Sequence, residues 1–127
     1  LLNNLLLDPG TTIGLSTYQI GEILELLRRH RVPKETRTRL FADFLSKKFM
    51  VVDLELAHVK TCVKLSVKSN IHIYDYFVAV PLERVVNKIY SADDHFQHPD
   101  FRAIAEVENP LHPWVLREGR RPAKIST

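Results

Sequence analysis

Cysteine is almost missing from this chain: Cys62 is the only one among 127 residues. No internal disulfide or multi-cysteine zinc site can be built from one thiol, which points to a reducing compartment, and Cys62 itself reads as a small core hydrophobe. Glycine is nearly as sparse. Gly10, Gly14, Gly21 and Gly119 never fall into G-x-G-x-x-G or G-x-x-x-x-G-K-[ST], so a dinucleotide fingerprint and a P-loop are excluded. No apolar run approaches the ~20 residues that span a bilayer, and no secretory leader pattern opens the sequence. The expectation is a cytoplasmic protein with no membrane partner.

What is present suits one domain. A chain of this length with 45% hydrophobic residues can bury a real core. The formal charge is only +3, yet the basic residues cluster at Arg28, Arg29, Arg31 and Lys34, at Arg37 and Arg39, at Lys47 and Lys48, and again at Arg117, Arg120, Arg121 and Lys124. Such clusters can neutralise phosphates, although a solvated helix face looks the same. From Asn109 onward prolines and basic residues suggest a loosely held tail, giving a domain over 1–112 and a basic, flexible tail over 113–127.

Along the chain, Leu1, Leu2, Leu5 and Leu6 repeat with helical spacing until Asp8-Pro9-Gly10 stops them. Thr12 to Leu15 reads as a short strand, and Ser16-Thr17-Tyr18-Gln19 as a capping box opening a helix with Ile20, Ile23, Leu24 and Leu27 on one face. Val32-Pro33 breaks it near His30. A second amphipathic helix carries Leu40, Phe41, Phe44 and Leu45 and ends around Lys48, followed by a strand from Met50 to Val52. Asp53 is placed to cap a third helix, whose buried face is Leu56, Val59, Cys62 or Val63, and Ser66, with Ser69-Asn70 ending it.

After Asp75, the residues Phe77, Val78, Val80, Leu82, Val85 and Val86 predict a buried helix kinked at Pro81. Lys88 to Ser91 reads as a strand, Asp94 to His98 as a loop, Phe101 to Ala105 as a short helix and Glu106 to Glu108 as a last strand. Strands alternating with helices imply an α/β fold with a central parallel sheet of at least four strands, and ligands bind at the carboxyl ends of such strands.

Just beyond those ends lie Ser16 with Glu22 in the following helix, then Asp53, Asp75 and Ser91-Ala92-Asp93-Asp94. Hard cations such as Mg²⁺ and Mn²⁺ take oxygen ligands, and Mg²⁺ needs only one or two carboxylates because it keeps its waters. Asp53 and Asp94 read as ordinary surface or capping acids. Asp75 is different, because a carboxylate directly before Tyr76-Phe77-Val78-Ala79-Val80 sits at the edge of the core, where an unpartnered charge is costly.

Three segments, Leu15-Ser16-Thr17-Tyr18-Gln19-Ile20-Gly21-Glu22-Ile23-Leu24, Ile73-Tyr74-Asp75-Tyr76-Phe77-Val78-Ala79 and Ile89-Tyr90-Ser91-Ala92-Asp93-Asp94-His95-Phe96, together resemble the PIN domain. Val107-Glu108-Asn109-Pro110 is similar to that family's final strand and exit, so the resemblance runs in order over 1–112. It implies a three-layer α/β/α fold and a metal-dependent ribonuclease, as in the VapC-type toxins of toxin–antitoxin pairs and in RNA-processing factors. Glu22, Asp75 and Asp93 match the family's catalytic and metal-holding acids, and Ser91 matches the hydroxyl preceding the last of them. The implied cofactor is Mg²⁺ or Mn²⁺; the implied partners are RNA, an antitoxin protein and a second copy of the chain. Arg28, Arg29 and Arg31 are candidates for guiding the RNA backbone, and equally for satisfying the helix dipole.

Two departures accompany the resemblance. The family's leading acid, an Asp ending the first strand, has no match, since Asn3-Asn4 lies in what reads as a helix; the expectation is an additional strand upstream of Leu1 in the natural protein. Pro81 falls where the family usually continues a regular helix. The rival from another class is a non-catalytic PIN-like module that binds RNA or protein. A phospho-accepting receiver-like domain also uses acids at strand ends, but needs an early acidic pair and a late lysine that are not placed here. His95 and His98, spaced H-x-x-H beside Pro99, read as loop residues rather than ligands, and Ser16 reads as a helix cap rather than a nucleophile.

Overall fold

Ser16 ends the first strand and caps the first helix in one step. In the computed structural model, which describes residues 4, 7–115 and 123–124, strand β1 (Ile13–Ser16) runs directly into α1 (Thr17–Arg29), and the buried Ser16 Oγ accepts a hydrogen bond from the Gln19 N–H at 3.2 Å. The cap satisfies one of the orphan donors of the helix start. Arg28 and Arg29 in the last turn oppose the negative end of the helix dipole. Asn4 and Leu7 are helical, while Leu1, Leu2, Leu5 and Leu6 of the expected leading helix lie outside the described residues.

Helix α2 (Lys34–Phe44) stops sooner than the expected Lys48. The N–H groups of Leu45 and Ser46 turn back onto the carbonyls of Ala42 and Asp43, leaving the chain room to reverse before β2 (Phe49–Val52). β1 and β2 pair in parallel, Ile13 opposite Phe49 and Ser16 opposite Val52. Leu15, Ile20 and Phe44 are buried between these elements, with Ile23, Leu24, Leu40, Phe49 and Val51 packed around them.

Helix α3 (Leu56–Ser69) is capped by Glu55, not by Asp53. The Glu55 side chain accepts from the His58 backbone while the His58 ring accepts from the Glu55 N–H at 3.0 Å, so the reciprocal box is made two residues later than expected and Asp53 stays exposed. Asn70, with φ 59°, closes the helix in the left-handed conformation. Cys62, not Val63, faces inward: Cys62 is fully buried and Val63 is 46% exposed. Burial pushes the Cys62 thiol up to about 11 from its ordinary 9.0. At pH 8 that leaves about a hundredfold less thiolate than an unperturbed cysteine, so a chromogenic disulfide reagent is expected to react with the folded protein at least ~100 times more slowly than with the denatured chain. Equal rates would place Cys62 at the surface.

The apolar stretch from Phe77 to Val86 is not one kinked helix. Helix α4 (Ile73–Ala79) tightens into a 3₁₀ turn at Val80–Leu82, and Arg84 adopts φ 65° to redirect the chain. Pro81 has no N–H to give the carbonyl four residues back, so the helix ends there instead of bending. Tyr76, Ala79, Val80, Phe96, Phe101, Ile71 and Cys62 form the larger core cluster. Tyr76 stacks on Phe101 at 4.7 Å between centroids, and Phe96 lies 4.5 Å from Phe101. The Tyr76 hydroxyl donates to Asp100 at 2.9 Å, and its oxygen also lies 2.6 Å from the Ser69 hydroxyl, so the polar tip is satisfied at the edge of the cluster.

β3 (Lys88–Tyr90) is followed by a 3₁₀ turn at Asp94–Gln97, where a loop was expected, and by α5 (Pro99–Arg102), which starts and ends before the expected Phe101–Ala105 helix. β4 (Glu106–Glu108) pairs in parallel with β3. The structure is thus mixed α/β. Among the described residues, however, β1–β2 and β3–β4 are separate parallel pairs and not one sheet of four strands. Leu82 and Val86 cover β1 closely at Gly14, where an added Cβ would stand 2.7 Å from Val86 Cγ1. In the expected tail, β5 (Trp114–Val115) pairs antiparallel with β6 (Ala123–Lys124). Val115 is buried and Trp114 is 51% exposed, so the tail is anchored at its start; Arg117, Arg120 and Arg121 lie outside the described residues. No helix among the described residues is long and apolar enough to cross a membrane.

Candidate functional site

Asp75 is the hub of the site. It occupies the first turn of α4, where a carboxylate also complements the helix dipole, and its side chain is only 14% exposed. Two imidazoles converge on its Oδ2 atom: His72 Nε2 at 3.3 Å, from the residue that precedes α4, and His95 Nδ1 at 3.1 Å, from the 3₁₀ turn. The two rings meet edge to face, with centroids 5.4 Å apart. One ligand atom from each of His72, Asp75 and His95 lies within 4.8 Å of the others.

Asp93 joins through His95. Its Oδ1 lies 3.7 Å from His95 Nδ1 and accepts the His95 N–H at 2.8 Å, while the Ser91 hydroxyl accepts the Asp93 N–H at 3.1 Å. Ser91 therefore orients the acid that follows it, and Asp93 also caps the 3₁₀ turn.

Glu22 enters from α1. Although Glu22 is solvent-exposed, partial desolvation by its neighbours raises its carboxyl above the usual range, the Tyr18 hydroxyl holds part of that rise back, Asp75 adds to it and His72 opposes it. Asp75 is raised first by burial, then pulled down by His95 and His72 and pushed up by Asp93. Asp75 thus acts on Glu22 and is itself acted on by Asp93, the three lying on three chain segments. Tyr18 is pushed up to about 12, by burial first and then by Glu22, so its phenol stays protonated. It lies parallel to Tyr74 at 5.9 Å and edge-on to Phe77 at 5.3 Å. Tyr74 is 54% exposed, which leaves an aromatic surface beside the acids.

The remaining candidates divide. Ser16 caps α1 and is fully buried, so it can support but not attack. Arg28 is engaged with Glu25 at 2.6 Å, and Arg31 closes the turn after α1 with φ 61°. Of the three arginines, Arg29 shares a shallow groove with Glu22, which a second acid, Glu25, also lines beside Gln19, Ile23 and Val78. The H-x-x-H pair separates: His98 caps α5, accepting from the Asp100 N–H at 3.1 Å, and His95 meets Asp75. The ring that lies against His95 is that of His72, which is not among the candidates expected from the sequence. Its only sequence signal is the His72-to-Asp75 spacing of three across a helix start, which puts both on one face.

Chemically, this arrangement offers carboxylate oxygens, imidazole nitrogens, a phenol and one guanidinium at the solvent boundary. No family model matches the chain, and no curated protein matches it.

Proposed function

We propose that this chain is a metal-dependent ribonuclease of the PIN-domain kind, a three-layer α/β/α domain acting on RNA phosphodiester bonds in the cytoplasm. The observation that carries the reading is the convergence of the Asp75 and Asp93 carboxylates on His95 Nδ1, at 3.1 and 3.7 Å, with Asp75 adding to the rise of the Glu22 carboxyl from a third segment. Carboxylates gathered in one place repel one another, and a cation between them relieves that repulsion. Their oxygens fit Mg²⁺ or Mn²⁺, although the closest polar neighbours of Asp75 are nitrogens. A divalent cation held by these residues supplies Lewis acidity toward a phosphate oxygen and a more acidic bound water.

The protein's own part is orientation. Ser91 and the turn at Asp94 fix the Asp93 carboxylate, and Tyr18 steadies Glu22. Arg29 stands in the groove beside Glu22 to meet a phosphate, and the exposed face of Tyr74 suits stacking of an unpaired base. Leu26, Phe41 and Leu45 face solvent on α1, on α2 and just after it, which supports a second copy of the chain or an antitoxin as a further partner. The same surface favours the second reading, a non-catalytic module that binds RNA or protein.

The test is incubation of the purified protein with single-stranded RNA of mixed sequence and Mg²⁺ or Mn²⁺, against a chelator blank. Cleavage that the chelator abolishes is expected. Intact RNA with both ions, in a protein that retains RNA or partner binding, would replace the hydrolytic reading with the module.

A further inference from the structure

We infer that His72, Asp75 and His95 form a three-ligand site for a divalent transition cation of the zinc type, in preference to Mg²⁺. The inference deepens the reading above and rests on it only in taking Asp75 as a ligand. It concerns which ion that carboxylate holds.

The geometry is that of a ligand set. Where metal–ligand bonds are near 2.0–2.1 Å and the arrangement tetrahedral, neighbouring ligand atoms stand roughly 3.3 Å apart. His72 Nε2 and His95 Nδ1 lie 3.3 and 3.1 Å from Asp75 Oδ2, and one ligand atom from each of the three residues lies within 4.8 Å of the others. Little movement is needed to replace the contacts between them by bonds to one ion.

The donor chemistry sets the preference. Mg²⁺ demands oxygen ligands in near-ideal octahedral geometry, whereas imidazole nitrogen suits zinc, iron, nickel and copper. Two nitrogens and one carboxylate oxygen are the donor types of three-ligand zinc sites that keep a fourth position for water. Thiolate plays no part, since Cys62 is buried in the core cluster. Glu22 is not a member of the ligand group, and Asp93, at 3.7 Å from His95 Nδ1, is the neighbouring oxygen that could complete the shell.

The site also has the accessibility an ion needs. Asp75 is mostly covered, but both imidazole side chains are about a third exposed, at 33% and 34%. They form the outer wall through which an ion enters. A mostly covered carboxylate behind two imidazoles a third exposed excludes bulk water from one side only.

The experiment uses tag-free full chain and the metal salts alone, zinc and cobalt chloride, followed by calorimetric titration and by the visible absorption of bound cobalt. One ion per chain is expected, with cobalt bands of nitrogen–oxygen coordination, and equimolar Mg²⁺ is expected not to displace it. His72→Gln and His95→Gln should each weaken zinc binding by at least the roughly 10- to 100-fold that losing a mere supporting partner costs. His98→Gln, whose ring caps α5, should bind as the parent does. In the unaltered protein, imidazole NMR signals of His72 and His95 should shift on zinc addition, a readout that does not depend on any variant folding. No zinc binding, unmoved imidazole signals, or displacement by equimolar Mg²⁺ would overturn the inference. RNA cleavage is no part of the test: a protein that binds zinc through its imidazoles but cuts nothing keeps this site and loses the hydrolytic reading. One that cleaves with Mg²⁺ and leaves zinc unbound does the reverse.

Discussion

Asp75→Asn is expected to lower metal-dependent RNA cleavage by on the order of 10³-fold, because a cation's several kcal/mol of charge stabilisation is lost at tenfold per 1.36 kcal/mol. The hub position makes this the most damaging single change in the site. Asn keeps the volume and one carbonyl oxygen, so contacts from His72 and His95 can persist, while the negative charge that burial penalises disappears. The sign for stability follows. A carboxyl raised above its ordinary 3.8 weakens the folded state once pH exceeds that value, and the penalty is complete above the folded-state value. At neutral pH the metal-free variant should therefore melt no lower than the parent. Cleavage assays and metal-free thermal melts of both proteins read the two effects separately, and undiminished cleavage by the variant would remove Asp75 from the site.

The second large effect lies in the core. Phe101 is fully buried and touches two aromatic rings, Tyr76 at 4.7 Å and Phe96 at 4.5 Å. Phe101→Ala removes a ring whose neighbours are held by their own elements, so the space cannot collapse, and a loss of ~3–5 kcal/mol is expected. Phe41→Ala, at a position 43% exposed, is the control and should cost far less. Denaturant unfolding followed by far-ultraviolet circular dichroism gives both numbers. A loss below about 1 kcal/mol for Phe101→Ala would mean that the aromatic cluster is not the core.

The same cluster explains which parts of the fold could be read from residues alone. Helix α1 was legible because its cap and its apolar face, Ile20, Ile23 and Leu24, point to one element. β1 and β2 lie within one residue of their expected positions. The stretch from Phe77 to Val86 was not resolved into its pieces, because burial on several sides erases the periodicity that separates a helix from a tight turn. Asp53 and Glu55 both precede an apolar run, and only the reach of the His58 ring decides between them. Glu22, Asp75 and Asp93 stand out as candidates in the sequence by their places beyond expected strands. His72 and His95 do not, since they sit on a helix boundary and a turn, and only the folded chain brings their rings together over Asp75.

Trp114 has a practical consequence for every measurement proposed above. It is the single tryptophan of the chain, it lies half exposed on the terminal two-stranded ribbon, and it belongs to neither core cluster. Fluorescence excited selectively at tryptophan therefore reports the docking of that ribbon, while the tyrosines of the core and of the acid–imidazole site, Tyr76, Tyr18 and Tyr74, do not contribute to it. A fluorescence transition that precedes the circular dichroism transition would mark peeling of the ribbon ahead of global unfolding.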